Sequence, residues 1–359
     1  MPPKISSAFA ALLFVACGGA TAAPKVAVDI APVHSLVAAV MGQTATPELL
    51  LRPGASPHGY AMAPSEARAL AGADLVFWVG PALTPWLDRA IDTLAPTART
   101  IAVMQVKDIQ TLPFREGALF DDHDHAHDHA EAHEDHNGHK EPAGHTVSHD
   151  DHDHHGEDHH DEHHEDHEHH EDGDHGHEDH ADENHGAEPR DPHIWLDPRN
   201  AQVITRKVMG ELVEADPANA PTYLANGARL IERLAALEKE TAETLSSASD
   251  RAFVVFHDAY HYFEARFGVE ASGAIALSDA AAPGPARLSE IQGRLRALTA
   301  PCVFAEPQFS EAKARLVMEG TDARLAILDP MGADIAPGPE HYFTLIRKLA
   351  HAMTSCLTK

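Results

Sequence analysis

Past its N-terminus the chain has no apolar run long enough to cross a bilayer, which excludes a helical membrane-spanning protein. Glycine-rich phosphate loops and the strained serine turn of α/β-hydrolases are also missing, so nothing points to nucleotide chemistry or a serine nucleophile. Positive charge is scarce: 27 Lys and Arg stand against 56 Asp and Glu, a formal net charge of −29. The imbalance is local. Between Asp121 and Glu188 there are 26 acids and one base, Lys140, which leaves about −4 for everything else. A near-neutral remainder presents no basic face to nucleic acid. Cysteine occurs only 3 times, as Cys17, Cys302 and Cys356.

The first 22 residues read as an export signal. Lys4 supplies positive charge, Ile5 to Val15 is an apolar run too short to span a membrane, and Ala20-Thr21-Ala22 offers a small-residue cleavage site. Cys17 in Phe-Val-Ala-Cys also resembles a lipid-attachment site, with Phe14 a poor match at its first position. Cleavage near Ala22 is the expectation and lipidation at Cys17 the alternative. If Cys17 leaves with the signal, Cys302 and Cys356 remain as an even pair in an oxidising compartment, where a disulfide is expected. It closes a loop of about 55 residues, for which the chain-entropy model gives roughly 4 kcal/mol. Two buried thiols are the alternative.

Histidine is what the chain has in abundance. Of its 30 histidines, 23 fall between Asp121 and His185, interleaved with Asp and Glu as in HDHAHDH and DHDHHGEDHH. Neutral imidazole is the commonest protein ligand for zinc and also suits copper and nickel. The tract therefore reads as a metal-collecting segment. Its candidate low-affinity ligands are His123, His125, His127, His129, His152, His154, His155, His159, His160, His163, His164, His167, His169 and His170. Almost devoid of aliphatic residues, it buries too little apolar surface to offset its ordering entropy, so disorder without metal is expected. Its charge and metal affinity should change near pH 6.5, where imidazole titrates.

Without signal and tract, about 270 residues remain, enough for two lobes. Short apolar runs alternate with helical patterns on both sides of the tract. Strands are expected at 25–30, 47–52, 75–80 and 100–105, then at 252–256, 269–277, 302–305 and 325–328. Helices fall between them. The alternation implies α/β architecture: two lobes, each a mostly parallel sheet flanked by helices. From Tyr223 to Ser246, the residues Leu230, Leu234, Leu237, Thr241 and Leu245 share one helical face, which marks a long stiff helix joining the lobes. The expected organisation is a first lobe from 23–120 and 189–215, the disordered His-rich loop at 121–188, the linking helix at 216–247 and a second lobe at 248–359.

Outside the tract only seven histidines occur: His34, His58, His193, His257, His261, His341 and His351. His58 directly follows an expected strand, His193 sits between prolines in Asp191-Pro-His-Ile-Trp-Leu-Asp-Pro198, and His257 closes the strand Phe253–Phe256. Asp329 closes another. In open parallel sheets ligands bind beyond the carboxyl ends of strands, and three imidazoles plus one oxygen make a sensible tetrahedral zinc shell. Taken singly, each is more often a hydrogen-bonded structural residue. His261 lies one helical turn after His257 without the glutamate of a zinc-protease helix, so it reads as a supporting or solvated residue.

Together, Arg52-Pro-Gly-Ala-Ser-Pro-His58, Asp191–Pro198, Asp216-Pro-Ala-Asn-Ala220, Val255-Phe-His-Asp-Ala-Tyr260 and Val303-Phe-Ala-Glu-Pro-Gln308 resemble the zinc-binding periplasmic component of a bacterial ABC importer. The resemblance runs in order from about Val26 to Cys356, and an acidic His-rich insertion before the second ligand motif is similar to that family too. It implies Zn²⁺ held between two lobes by His58, His193 and His257, with Asp329 or a water as fourth ligand. Related manganese binders place Glu where His257 stands; a third nitrogen donor favours zinc. Pro57 occupies a position where some zinc relatives carry Glu. The family's C-terminal disulfide matches Cys302 and Cys356. The implied role is high-affinity zinc capture in the periplasm by a monomer that delivers the ion to an inner-membrane ABC permease, with an auxiliary zinc chaperone as a further partner. The rival readings are a manganese or other divalent-metal carrier, a zinc hydrolase built on the same three histidines, for which no general base is evident, and a metal buffer or adhesin in which the tract does the work.

Overall fold

The computed structural model describes residues 22–115, 117–120, 189–249, 251–276, 283–298 and 302–359. The expected leader, Cys17 and the His-rich tract with its fourteen candidate ligands lie outside the described residues.

The first sheet contains β1 (Val26–Val28), β2 (Glu48–Leu49), β3 (Leu75–Trp78) and β4 (Arg99–Ala102), in the order β2-β1-β3-β4 with every neighbouring pair parallel. β1 and β3 are apolar throughout and buried throughout, as strands covered on both faces must be. Helices α1 (Ala31–Met41), α2 (Pro64–Ala71) and α3 (Pro85–Leu94) connect them, each with proline in its first turn, where the missing N–H costs nothing. All four strands are shorter than the sequence suggests, two of them for visible reasons. The 47–52 run pairs over only two residues at the sheet edge, and the 100–105 run ends at Ala102, where Val103–Gln105 tightens into a 3₁₀ turn.

After the tract, α4 (Pro198–Ala215) begins at Asp197, whose carboxylate accepts from Arg199 N. α5 (Ala220–Leu245) follows, 26 residues long. Its buried face is Tyr223, Gly227, Leu230, Leu234, Leu237, Thr241 and Leu245, the stripe read from the periodicity and extended by about two turns. A Cβ on Gly227 would stand 1.8 Å from Met209 Sδ, so glycine lets α4 and α5 approach at that point.

The second sheet repeats the plan with β5 (Phe253–His257), β6 (Ala271–Ala276), β7 (Cys302–Ala305) and β8 (Arg324–Ile327), parallel in the order β6-β5-β7-β8. α6 (His261–Phe267), α7 (Pro285–Ala297), α8 (Glu311–Met318) and α9 (His341–Leu357) accompany it. A disulfide between Cys302 and Cys356 fastens β7 to α9.

One continuous apolar core contains residues of both sheets together with α1, α4, α5 and α9; two smaller clusters lie under the outer helices of each sheet. The long helix packs against α1, α4 and α9, and α1 packs against α9 as well, so helices from both halves of the chain share one packed layer. Sheet membership does not follow the 23–120 boundary expected for the first lobe: Leu119 forms an antiparallel bridge with Gly273, on the edge strand of the second sheet.

Candidate metal centre

Five chain segments meet at a cavity of about 10 Å³, lined by Pro57, His58, His193, Trp195, His257, Glu306, Gln308, Phe309, Pro330 and Met331. That volume is close to the space one water-sized sphere occupies. It has room for an ion or a water.

His58 comes from the loop after β2. Three contacts fix that loop: Arg52 pairs with Glu66 at 2.8 Å, the Tyr60 hydroxyl donates to the same carboxylate at 2.9 Å, and Trp86 Nε1 donates to Pro57 O at 2.8 Å. His58 as a residue is only partly buried, while its ring Nε2 is buried. His193 sits at the start of the 3₁₀ turn Ile194–Leu196 and is buried. Its backbone N–H donates to Asp191 Oδ1 at 2.9 Å, and its Nδ1 lies 2.7 Å from the same oxygen. His257 is the last residue of β5, also buried, with Nδ1 2.6 Å from Glu306 Oε1. Glu306 directly follows β7, the neighbour of β5, so sheet order alone brings its carboxylate beside His257.

The two carboxylates decide the tautomers. In its ionised form each carboxylate only accepts, which makes the facing Nδ1 the donor and leaves the Nε2 lone pair to the cavity. The Nε2 atoms of His193 and His257 are 3.4 Å apart. Zinc–nitrogen bonds of about 2.0–2.1 Å in a tetrahedron require a nitrogen separation of about 3.3–3.4 Å. Two donors are thus already spaced for one ion.

His58 is the member that lags. The His193 and His257 ring centroids are 5.3 Å apart, those of His58 and His193 5.8 Å. Among the described residues no group of three His, Cys, Asp or Glu side chains is fully gathered for a metal ion.

Asp329 does not join the three histidines. It lies two residues beyond the end of β8, and its carboxylate accepts from Met331 N at 2.9 Å, Ala333 N at 2.6 Å and Gln308 Nε2 at 3.1 Å. It faces a separate cavity of about 320 Å³ beside α9. Its role in this structure is to shape the Pro330–Ala333 turn, which contributes Pro330 and Met331 to the wall of the histidine cavity. His261 also stays off that cavity, at a third opening beside Arg115 and Glu264.

Electrostatically the centre is buried carboxylate backed by little solvent. Burial pushes Asp191 up to about 7 against the opposing hydrogen bond from His193 N–H, and burial raises Glu306 against the pull of His257. A cation in the cavity would offset both penalties. Sequence reasoning left Asp191 and Glu306 without roles, although both stand inside the motifs that carried the resemblance. The available signal was that Glu306, like His257, follows a strand end.

The chain matches the family model described as zinc-uptake complex component A, periplasmic (ZnuA), over residues 26–356. It is 41% identical to the high-affinity zinc uptake system protein ZnuA of Brucella suis biovar 1, covering 99% of each chain. It is 39% identical to the protein of that name from Paracoccus denitrificans, over 93% of this chain and 92% of the relative. Among solved structures, a crystal structure of ZnuA superposes with a TM-score of 0.66 at 20% identity, over 93% of this chain and 99% of the other, which bears on the fold. The chain belongs to the ZnuA family, the periplasmic component A of zinc-uptake complexes.

Proposed function

We propose that this protein captures Zn²⁺ with high affinity in the periplasm and hands it to the permease of an ABC importer. His58, His193 and His257 are the protein ligands, and a water is the fourth. The observation that carries the reading is the pair of Nε2 atoms 3.4 Å apart, each on a ring whose Nδ1 is held by a buried carboxylate. Three nitrogen donors favour zinc over manganese, which prefers oxygen. A cavity sized for one ion suits carriage rather than turnover.

In this proposal the 23–120 and 189–215 segments present His58 and His193 from one lobe, 248–359 presents His257 from the other, and 216–247 keeps the two in register. The 121–188 loop collects zinc at several weaker sites and raises the local concentration beside the tight one. The test is zinc titration in competition with a chelator at neutral pH. The triple variant His58→Ala, His193→Ala, His257→Ala loses the tightest site, and deletion of 121–185 removes only the weak ones. A triple variant that keeps the tightest site overturns the assignment.

A further inference from the structure

Arg115 lies just before the His-rich tract, and its ion pairs among the described residues are with carboxylates of the second lobe. Nε lies 3.1 Å from both oxygens of Asp258, and Nη2 hydrogen-bonds Asp258 Oδ1 as well. Nη1 donates to Glu264 Oε2 at 2.6 Å and Nη2 to Glu264 Oε1 at 3.2 Å. The guanidinium also stacks over Phe120 at 3.8 Å. Both carboxylates belong to the second lobe and are buried. Burial works against the Arg115 charge, and the two carboxylates more than offset it, leaving its pKa raised.

The residues that follow are fastened to the same lobe. Ala274 N donates to Ala118 O at 3.1 Å and Phe120 N to Ser272 O at 3.2 Å, adding a short antiparallel partner to the open edge of β6. This approach needs a glycine at its centre: a Cβ on Gly273 would stand 2.4 Å from Ala118 O. On the return side Asp191 N donates to Leu112 O at 3.0 Å, and Pro113 bridges Arg190. The Tyr262 hydroxyl of α6 accepts from Leu112 N at 2.9 Å and donates to Asp191 O at 2.7 Å, stitching both strands of the stem to the second lobe.

Each root of the stem therefore ends on a different histidine of the candidate centre. The outgoing root reaches His257 through Arg115 and the adjacent Asp258. The returning root reaches His193 through Asp191, whose carboxylate holds the ring. We infer that this stem is an interlobe tie that sets the His193–His257 spacing, with Arg115 as the positioning residue that locks it. The inference rests on the proposed zinc site but concerns what holds its two buried rings at tetrahedral spacing before the ion arrives. Lysine cannot replace Arg115 fully, because a point charge cannot hold two carboxylates in a fork.

The experiment compares full-length wild type with Arg115→Ala, Arg115→Lys and Gly273→Ala, each checked for folding by circular dichroism. Zinc release is followed by stopped-flow transfer to a chelator. In the metal-free state, imidazole ¹⁵N shifts of His193 and His257 are read together with amide hydrogen exchange at Phe120 and Ala274. Arg115→Ala should speed release from the tight site about tenfold, the lower end for losing support behind a ligand. Association should change little, Arg115→Lys should fall between, and both ring signatures should move in the metal-free protein. Gly273→Ala, which disturbs the tie without touching Arg115, should act in the same direction and decides the matter if Arg115→Ala does not fold. Unchanged ring shifts and unchanged release in folded variants overturn the proposal. If wild type itself holds no zinc tightly, the zinc reading fails, and the metal-free ring shifts still judge the tie.

Discussion

Replacing Glu306 separates a carboxylate that supports a metal ligand from one that supports the fold. Glu306 is buried, and its Oε1 receives the Nδ1–H of His257 at 2.6 Å. Burial raises its pKa, so keeping it ionised in the metal-free protein is itself costly. Glu306→Gln retains a carbonyl oxygen that can accept from Nδ1–H but removes the charge that makes the ring a stronger donor to zinc. Loss of such support typically lowers metal affinity about 10- to 100-fold, or about 1.4–2.7 kcal/mol. The glutamine variant belongs near the lower bound. Glu306→Ala, which leaves Nδ1–H without its acceptor, belongs near the upper. Metal-free stability should behave differently: Gln removes a desolvated charge, so its urea midpoint should equal or exceed that of wild type, while Ala opens a void and should be destabilised. Chelator competition gives the affinities and urea unfolding the stabilities. Equal zinc affinity in all three proteins, or a glutamine variant weaker than the alanine variant, refutes the argument that the carboxylate acts through His257.

Two further outcomes follow from groups outside the centre. Burial lowers the pKa of both His34 and His341 from 6.5; His34 Nε2 lies 3.0 Å from Pro47 O and His341 Nε2 2.9 Å from Met331 O. The unfolded chain takes up these protons first, so their contribution is complete above about pH 6.5 and is lost as pH falls toward the depressed folded values. Each unit of depression is worth about 1.4 kcal/mol. Urea midpoints measured from pH 7 to 5 should fall for wild type and flatten for a His34→Gln, His341→Gln variant; an equal slope in both assigns the acid loss elsewhere. Asp329→Asn should cost about 1–2 kcal/mol of stability through the weakened Pro330–Ala333 turn while tight zinc binding survives. Loss of the tight site on the scale of His257→Ala would make Asp329 a direct ligand.

The architecture was legible because its signals are local. Phe253-Val-Val-Phe and Leu75-Val-Phe-Trp are unbroken apolar runs, and a parallel strand covered on both faces needs nothing else. The face of α5 was legible because one period runs through it. His58, His193 and His257 stand out in the sequence as unusual histidines at strand ends or between prolines, and the structure brings all three to one cavity. What escaped depends on contacts that no local pattern encodes. Glu306 meets His257 only because β7 lies beside β5. Arg115 is 143 residues from Asp258 and 149 from Glu264, and nothing around it distinguishes it from a solvated arginine. Asp329 shows the converse limit. Its position near a strand end was read correctly, but a two-residue overrun lets its carboxylate turn back to the amides of its own loop.

The shared core also constrains how the ion is exchanged. Phe253 and Phe304 from the second sheet, Val28 and Phe77 from the first, and the buried face of α5 belong to one apolar cluster. Swinging the lobes apart would expose part of it. At about 25 cal/mol per Å², exposing roughly 200 Å² costs about 5 kcal/mol, which equals the whole stability of a marginal domain. The polar ties act in the same sense: Trp195 Nε1 donates to Pro330 O at 2.9 Å and the Tyr342 hydroxyl to Trp195 O at 2.8 Å, crossing between segments beside the cavity. Exchange by local motion is far cheaper. The least buried of the three residues is His58, on a loop without regular structure, and its ring centroid lies farther from that of His193 than that of His257 does. Under the proposed zinc site, His193 and His257 form the fixed pair, held by carboxylates and core, and His58 is the ring whose movement would admit and release the ion.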